Sequence, residues 1–271
     1  MGASLQDIAS WMNTVAAFVG PRSASALDRD SLAAAGVPDG IADVAVLFGG
    51  SIVAGGDVFA HAMQAGVARC YVICGGEGHT TETLRQKMRG LYPNVVFDAH
   101  ASEAILFDAY LRSRYSLAAD LLETESTNCG NNVINLLGLL DKHGIARSSM
   151  IAIQDASMQR RMDAGIRLHA PQTRVVNYAA YHVEVQVTEN GGGGLAYDHV
   201  PAGMWSPEHY RRLLMGEVPR LRDDERGYGP CGAGYIAHVE MPKQVLDAFE
   251  GLRSAFPESV RVANPAFASP A

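Results

Sequence analysis

This chain of 271 residues is short of charge, short of cysteine and without a long apolar run. Charged residues make up only 19%, and 29 Asp and Glu outnumber 22 Lys and Arg, for a net charge of −7. No basic stretch interrupts that balance, so a nucleic-acid phosphate backbone is not an expected partner. The opening segment has no cationic stretch ahead of an apolar one, and its longest apolar run, 15–19, is too short for a signal-peptide core. No later window approaches the roughly 18 apolar residues of a membrane span. A cytoplasmic, soluble protein with no membrane partner is therefore expected. The four cysteines, Cys70, Cys74, Cys129 and Cys231, form neither CxxC pairs nor a dense framework, which points to free thiols. Several signatures are missing as well: the HxH and HExxH spacings of metal sites and the GxSxG elbow, while neither glycine loop, at 49–57 or 75–82, has the GK[ST] of a P-loop or spells GxGxxG. Metal binding and covalent nucleophilic catalysis are not expected. Nothing in the pattern fixes an oligomeric state.

Apolar material, by contrast, is ample at 48%, enough for a substantial core. Leu5, Ile8, Trp11, Met12 and Val15 recur at helical spacing and predict a helix over 5–19. Beyond a Pro/Ser/Asp-rich connection, short continuous apolar runs at 43–48, 70–74, 94–97, 119–123, 150–154 and 174–178 read as strands. Helical stretches at 57–68, 81–91, 102–116, 129–143 and 158–170 separate most of them. Continuous rather than alternating strands between helices are the mark of a parallel sheet covered on both faces. The expected fold is α/β: a Rossmann-like, doubly wound, mainly parallel sheet with a small C-terminal α-rich subdomain. In this reading 1–40 is an N-terminal helix and connection, 41–190 the ligand-binding domain, and 195–255 a cap. The cap would hold a helix over 206–216, a strand over 235–240 and a closing helix over 242–255, with 191–194 a glycine linker and 256–271 a disordered tail.

Glycine is in excess, 28 residues of 271, and its placement is informative. An open α/β sheet binds ligands outside the carboxyl ends of its strands, at a topological switch point. Gly49 and Gly50, before Ser51, follow the first run, and Gly75, Gly76, Glu77 and Gly78 follow the second. Such turns either make tight strand-to-helix connections or let backbone approach a ligand, with helix N-termini offering N–H groups to an anion. Ser126, Thr127 and Asn128 are all good N-caps, and three in a row, with Glu123 before them and Asn132 after, exceed what one cap requires. The next strand end supplies Gln154, Asp155, Gln159, Arg160 and Arg161. Arginines early in a helix oppose its dipole, so they suit either a bound anion or a salt bridge to a neighbouring carboxylate. Glu103 opens a helix behind Ser102, and His79 follows the second glycine turn. With Asp155 these are the candidates for acid–base work.

The segments ADVAVLFGG, ICGGEGHTT, ASEA, ESTNCGNN, QDASMQRR and, above all, GEVPRLRDDERGYGPCG at 216–232 resemble the YdcF-like family. That family lies within a wider group of domains of unknown function that includes envelope proteins. The resemblance spans about residues 5–250 and implies a Rossmann-like domain with a C-terminal subdomain and S-adenosylmethionine as cofactor. Carried over by position, it marks Gly49, Gly50, Gly75, Gly76, Gly78, His79, Glu103, Glu123, Ser126, Asn128, Asn132, Asp155, Gln159, Arg160 and Arg161. Two positions depart from the wider group: Asn131 stands where it has Glu, and Met158 where it has His.

Three readings follow. The first is a small-molecule enzyme binding an adenosyl- or phosphate-containing ligand, catalysing group transfer or else phosphoester or pyrophosphate hydrolysis. The second is a non-catalytic protein that binds such a nucleotide-like ligand. The third, a pure interaction scaffold, leaves the polar strand ends without a purpose. Arg222, Asp223, Asp224 and Tyr228, flanked by Gly and Pro, form either a loop that closes over the sheet edge or a brace for the subdomain.

Overall fold

In a computed structural model of the chain, described over residues 2–188 and 193–257, a five-stranded parallel sheet forms the centre. Its strands are β1 (Ala42–Phe48), β2 (Ala68–Cys74), β3 (Leu121–Glu123), β4 (Ser149–Gln154) and β5 (Arg174–Ala179), in the order β3-β2-β1-β4-β5. The direction of winding reverses between β1 and β4, so the switch point lies at their carboxyl ends. This is the Rossmann-like arrangement that the continuous apolar runs predict.

Both faces of the sheet are covered, as that pattern requires. Val44, Val46, Phe48, Val72, Cys74, Met150 and Ala152 face α6 (Cys129–Lys142) and α7 (Gln159–His169), through Val133, Leu136, Leu140, Met162 and Ile166. Ala45, Leu47, Tyr71, Ile73, Ile151 and Ile153 face the larger layer. That layer holds α1 (Leu5–Val19), α2 (Arg29–Ala34), α3 (Ala54–Ala65), α4 (Thr81–Leu91), α5 (Glu103–Tyr115), α8 (Pro207–Leu221) and α9 (Lys243–Ala255). Residues such as Leu136 and Ile153 are wholly buried, and truncating either to Ala costs about 2–5 kcal/mol. Cys70 and Cys74 share one face as buried free thiols.

The helices start where their caps fall. Ser4 and Asp7 make a reciprocal capping box for α1, Ser102 caps α5, Asn128 caps α6, and Ser206 with Pro207 opens α8. Trp11 of α1 lies flat over Gly251 of α9, so tightly that a Cβ on Gly251 would sit 2.6 Å from the indole. The N-terminal helix is thereby built into the C-terminal layer. Asn13 also bonds both backbone groups of Val185, at 2.8 and 2.9 Å, and fastens a hairpin to α1.

That hairpin, β6 (Val185–Thr188) with β7 (Gly194–Tyr197), is absent from the sequence reading, which took 191–194 for a linker. Gly191 and Gly192 lie outside the described residues, as does 258–271 of the expected tail. Two expected strands do not form. Residues 94–97 are open chain: Val95 is buried, but Val96 is 89% exposed. Their neighbours α4 and α5 lie in the same layer, so the chain has no need to pass back through the sheet between them. Residues 235–240 bend at 235 and 236 and have no strand partner; Ala237 N–H bonds Ala164 O of α7 at 3.0 Å, and Ile236 and Val239 are buried.

Candidate functional site

The strand ladders run on into the turns beyond them. Gly49 N–H bonds Cys74 O at 2.7 Å and Gly75 N–H bonds Glu123 O at 3.0 Å, so the two glycine pairs form adjoining ledges. The N-terminus of α5 sits on the second ledge, where Glu103 and Ala104 N–H groups bond Gly76 O and Gly75 O at 3.0 and 2.8 Å. Those two N–H groups are therefore spent on protein rather than held out to an anion.

The glycines themselves are mostly required by the protein. A Cβ on Gly49 would lie 2.3 Å from Glu103 Oε2, and one on Gly76 would lie 2.1 Å from Ser126 O. Gly50 differs. A Cβ there would meet only Gln154 Oε1 at 3.4 Å and Asp155 Cβ at 3.7 Å, ordinary contacts, and its φ is not positive.

Glu103 is buried against this turn. Its Oε1 accepts from Thr81 Oγ1 at 2.9 Å and Thr80 Oγ1 at 3.3 Å. Burial raises its carboxyl from 4.5 to about 7, against the opposing pull of the two hydroxyls and of the Arg85 guanidinium. Asp155 ends β4 on the other side of the switch point. Its Oδ1 accepts from Ser157 N and Oγ at 2.9 and 2.8 Å and from Tyr181 Oη at 2.6 Å. Burial raises its pKa too, partly offset by those hydrogen bonds and by Lys87.

Lys87, on α4, enters the site from a distant position in the chain. Its Nζ donates to Ser51 O at 3.0 Å and to Gly203 O, and stands 3.7 Å over the Trp205 ring. Burial lowers its pKa from 10.5 to about 8, opposed by the charge of Asp155. Through these contacts, and through Ala54 N–H to Ala202 O at 3.4 Å, residues 201–205 lie over the β1–α3 turn.

The other predicted residues are tied into the framework. Glu123 Oε1 accepts from Glu125 N, Ser126 N and Asn135 Nδ2, and its Oε2 from Cys74 Sγ. Ser126 Oγ accepts from Gly76 N and donates to Asn132 Oδ1, Asn128 caps α6, and the exposed Thr127 bonds Asn131 at 3.0 Å. Gln159 stitches α7 to β4 and β5 through Gln154 N, Ala152 O and Asn177 Oδ1. Arg160 turns away to Phe18, bonding its carbonyl and stacking 4.2 Å over its ring. Arg161 makes a bidentate pair with Glu217 of α8 at 2.6 and 3.0 Å, so the salt-bridge alternative is the one realised there. Glu77 is exposed and pairs with Arg85, Gly78 N–H bonds Thr81 Oγ1, and His79 is exposed on the same turn.

The loop after α8 makes the contacts of a brace. Arg222 reaches Glu250 of α9 at 3.4 Å, Asp223 holds Cys231 N–H and His238 at 2.6 Å each, Asp224 caps Arg226 N–H at 3.0 Å, and Tyr228 packs edge-on to Tyr235.

The structure thus gathers Gly49, Gly50, Ser51, Glu103, Gln154 and Asp155 with Lys87, Tyr181 and Trp205. Sequence reasoning missed the last three. They come from the middle of α4, from beyond β5 and from the segment before α8, and only the rarity of tryptophan, 2 residues in the chain, marks one of them. A groove between α1 and α9, lined by Trp11, Thr14, Ala17, Gln244, Asp247 and Ala248, holds none of these residues and no strand end. Among the described residues no cluster of His, Cys, Asp and Glu could hold a metal ion, and no helix is long and apolar enough to cross a membrane. No protein-family model matches the chain.

Proposed function

We propose that this chain is a YdcF-like small-molecule enzyme that takes an adenosyl-bearing ligand at the carboxyl ends of β1 and β4 and carries out group transfer on it. The observation that carries this reading is the buried Glu103 carboxyl, held by Thr80 and Thr81 hydroxyls and pressed on the Gly49 backbone at the strand ends. A fold does not need a buried carboxyl there, since removing it from water is costly. A general acid or base working near neutral pH does need one, and a midpoint of about 7 is close to ideal for that task. Four of the segments that carry the family resemblance, ADVAVLFGG, ICGGEGHTT, ESTNCGNN and QDASMQRR, lie at the carboxyl ends of β1, β2, β3 and β4, where such folds bind ligands.

An adenosyl ligand is better supported than a phosphoryl one. Arg160 and Arg161 are engaged by Phe18 and Glu217, so neither is left for a phosphate. S-adenosylmethionine, the first candidate, would be held by the Gly49–Ser51 backbone and Gln154. Glu123 offers it nothing, because that carboxylate already serves loop N–H groups and Cys74. When bound, S-adenosylmethionine supplies an alkyl group for transfer. Glu103 would then give or take a proton at its Oε2, the oxygen facing Gly49.

Ligands released from the purified chain and identified by mass spectrometry, followed by thermal shift with S-adenosylmethionine, S-adenosylhomocysteine, adenosine and inorganic phosphate, test this reading. An adenosyl compound at a hundredfold excess over its Kd should add about 2.7 kcal/mol of stability, and phosphate none. No response to any adenosyl compound overturns the proposal. Binding that survives Glu103→Gln, in a protein for which that substitution changes no turnover, leaves a binding protein and removes the enzyme.

A further inference from the structure

Among the described residues five buried side-chain polar atoms have no hydrogen-bond partner: Arg85 Nη2, Gln154 Nε2, Tyr197 Oη, Trp205 Nε1 and Arg211 Nε. Tyr197 ends β7 in the two-stranded hairpin, and Gln154 alone stands at a strand end of the five-stranded sheet, as the last residue of β4 beside the switch point. Its amide is not free to turn over, because Oε1 accepts from Asp155 N–H at 2.6 Å, and this fixes Nε2 as the outstanding donor. Gln154 is 0% exposed, so water at the surface does not satisfy that donor. A buried donor left without an acceptor costs about 1–3 kcal/mol, which a fold keeps only where something repays it.

The residue facing this amide is Gly50, the one glycine of the two ledge pairs that the protein's own packing does not demand. Gly49, Gly75 and Gly76 are each held against a neighbour at 3.1 Å or less, whereas the nearest atom to a Cβ on Gly50 would be Gln154 Oε1 at 3.4 Å. The amide with the unsatisfied donor thus adjoins an unexplained missing side chain, its Oε1 towards Gly50 and its Nε2 beyond 4 Å from the place of that Cβ. Gly50, Ser51, Gln154 and Asp155 are all buried at the strand ends, and in the site proposed above they would meet the inner end of the ligand.

We infer that Gln154 is the specificity-determining residue of this site, its Nε2 donating to an uncharged acceptor on the ligand, a carbonyl oxygen or ring nitrogen of the kind a nucleobase presents, across the backbone of Gly50. The acceptor is uncharged because the cation at this turn, Lys87, is already shared between Ser51 O, Gly203 O and the Trp205 ring. This inference rests on the site proposed above but not on the adenosyl group itself.

The test uses the full ¹⁵N-labelled chain. The Gln154 side-chain amide signals are assigned by their loss in Gln154→Glu, a substitution that keeps an acceptor for Asp155 N–H and removes the donor. Adenosine, S-adenosylhomocysteine, nicotinamide and inorganic phosphate are then titrated. Adenosine and S-adenosylhomocysteine should move the Gln154 amide signals, and both Gln154→Glu and Gly50→Ala should weaken adenosine binding about tenfold or more. Adenosine that binds without moving those signals sinks the inference and leaves the adenosyl reading standing. Nicotinamide moving them while no adenosyl compound binds does the reverse. Phosphate as the sole probe that moves them, or no probe moving them, overturns the inference. The wild-type titration decides the matter even if Gln154→Glu fails to fold.

Discussion

The two ledges at the carboxyl ends of the sheet use the same residue types to opposite effect. On the β2–β3 side, Gly75, Gly76, Ser126, Asn132 and Glu123 are knitted to one another, with backbone so close that Gly76 has no room for a methyl group. On the β1–β4 side, Gly50 has that room, Gln154 keeps an unsatisfied donor, and Asp155 and Lys87 carry shifted pKa values. Glycine followed by polar residues after a strand is thus two different things. In one ledge it is architecture, and each polar group is answered from within the fold. In the other, part of the answer must come from outside. The pairing of each polar atom separates the two, and residue type does not.

The largest effect should come from the ion pair between α7 and α8, where Glu217 neutralises Arg161. Their side chains are 7% and 14% exposed, so Glu217→Ala leaves a buried guanidinium uncompensated. A loss of about 3–5 kcal/mol is expected in denaturant unfolding. If the loss is under about 1 kcal/mol, Arg161 has another partner in solution and the pair belongs with the open ledge. Gly76→Ala comes next. Its Cβ would stand 2.1 Å from a backbone oxygen, which cannot swing aside as a side chain can, so a cost of about 3 kcal/mol is expected. At this chain length that lowers the Tm by roughly 6–12 °C.

The third effect is a pH dependence. Glu103 has its carboxyl raised in the folded state, so folding favours its protonated form. Its contribution to stability is fully present below the ordinary value of 4.5 and is lost as pH rises through about 7. At roughly 1.4 kcal/mol per unit, the loss amounts to at most about 3 kcal/mol. Asp155 is raised in the same direction and adds to the slope, so the comparison is between wild type and Glu103→Gln. Unfolding free energies measured from pH 4.5 to pH 8 should fall more steeply in the wild type. Parallel curves would mean that water reaches Glu103, and would remove the reason for giving it acid–base work.

Much of this is legible in the sequence, and the limits have physical causes. The runs at 43–48, 70–74 and 150–154 read as buried parallel strands because both faces are apolar, and β1, β2 and β4 are indeed covered on both sides. The runs at 94–97 and 235–240 mislead because an open chain that buries one or two side chains needs the same pattern as a strand. The β6–β7 hairpin escapes notice because its second strand opens at Gly194, inside a glycine run. At the site, position at a strand end picks out Gln154 and Asp155, and position at the start of a helix picks out Glu103. It does not tell Arg161, committed to Glu217, from an arginine waiting for an anion, because that partner lies 56 residues away. Lys87 and Trp205 meet across the folded chain, and no local spacing announces them.

The smallest effect on stability should be the most informative about ligand. Gly50→Ala places a methyl group at ordinary contact distance from Gln154 and Asp155, so the fold should absorb it within about 0.5 kcal/mol. The same methyl group occupies the space between the Gly50 backbone and the Gln154 amide. Gly76→Ala and Gly50→Ala are therefore the same chemical change on two ledges, with opposite expected outcomes: the first lowers stability and the second spares it. Urea unfolding of the two variants side by side checks the contrast directly. Equal losses would erase the distinction between the ledges, because the protein's own packing would then account for Gly50 as it does for Gly76. A stable Gly50→Ala protein that no longer responds to adenosine in thermal shift would tie the spare room at this glycine to ligand rather than to the fold.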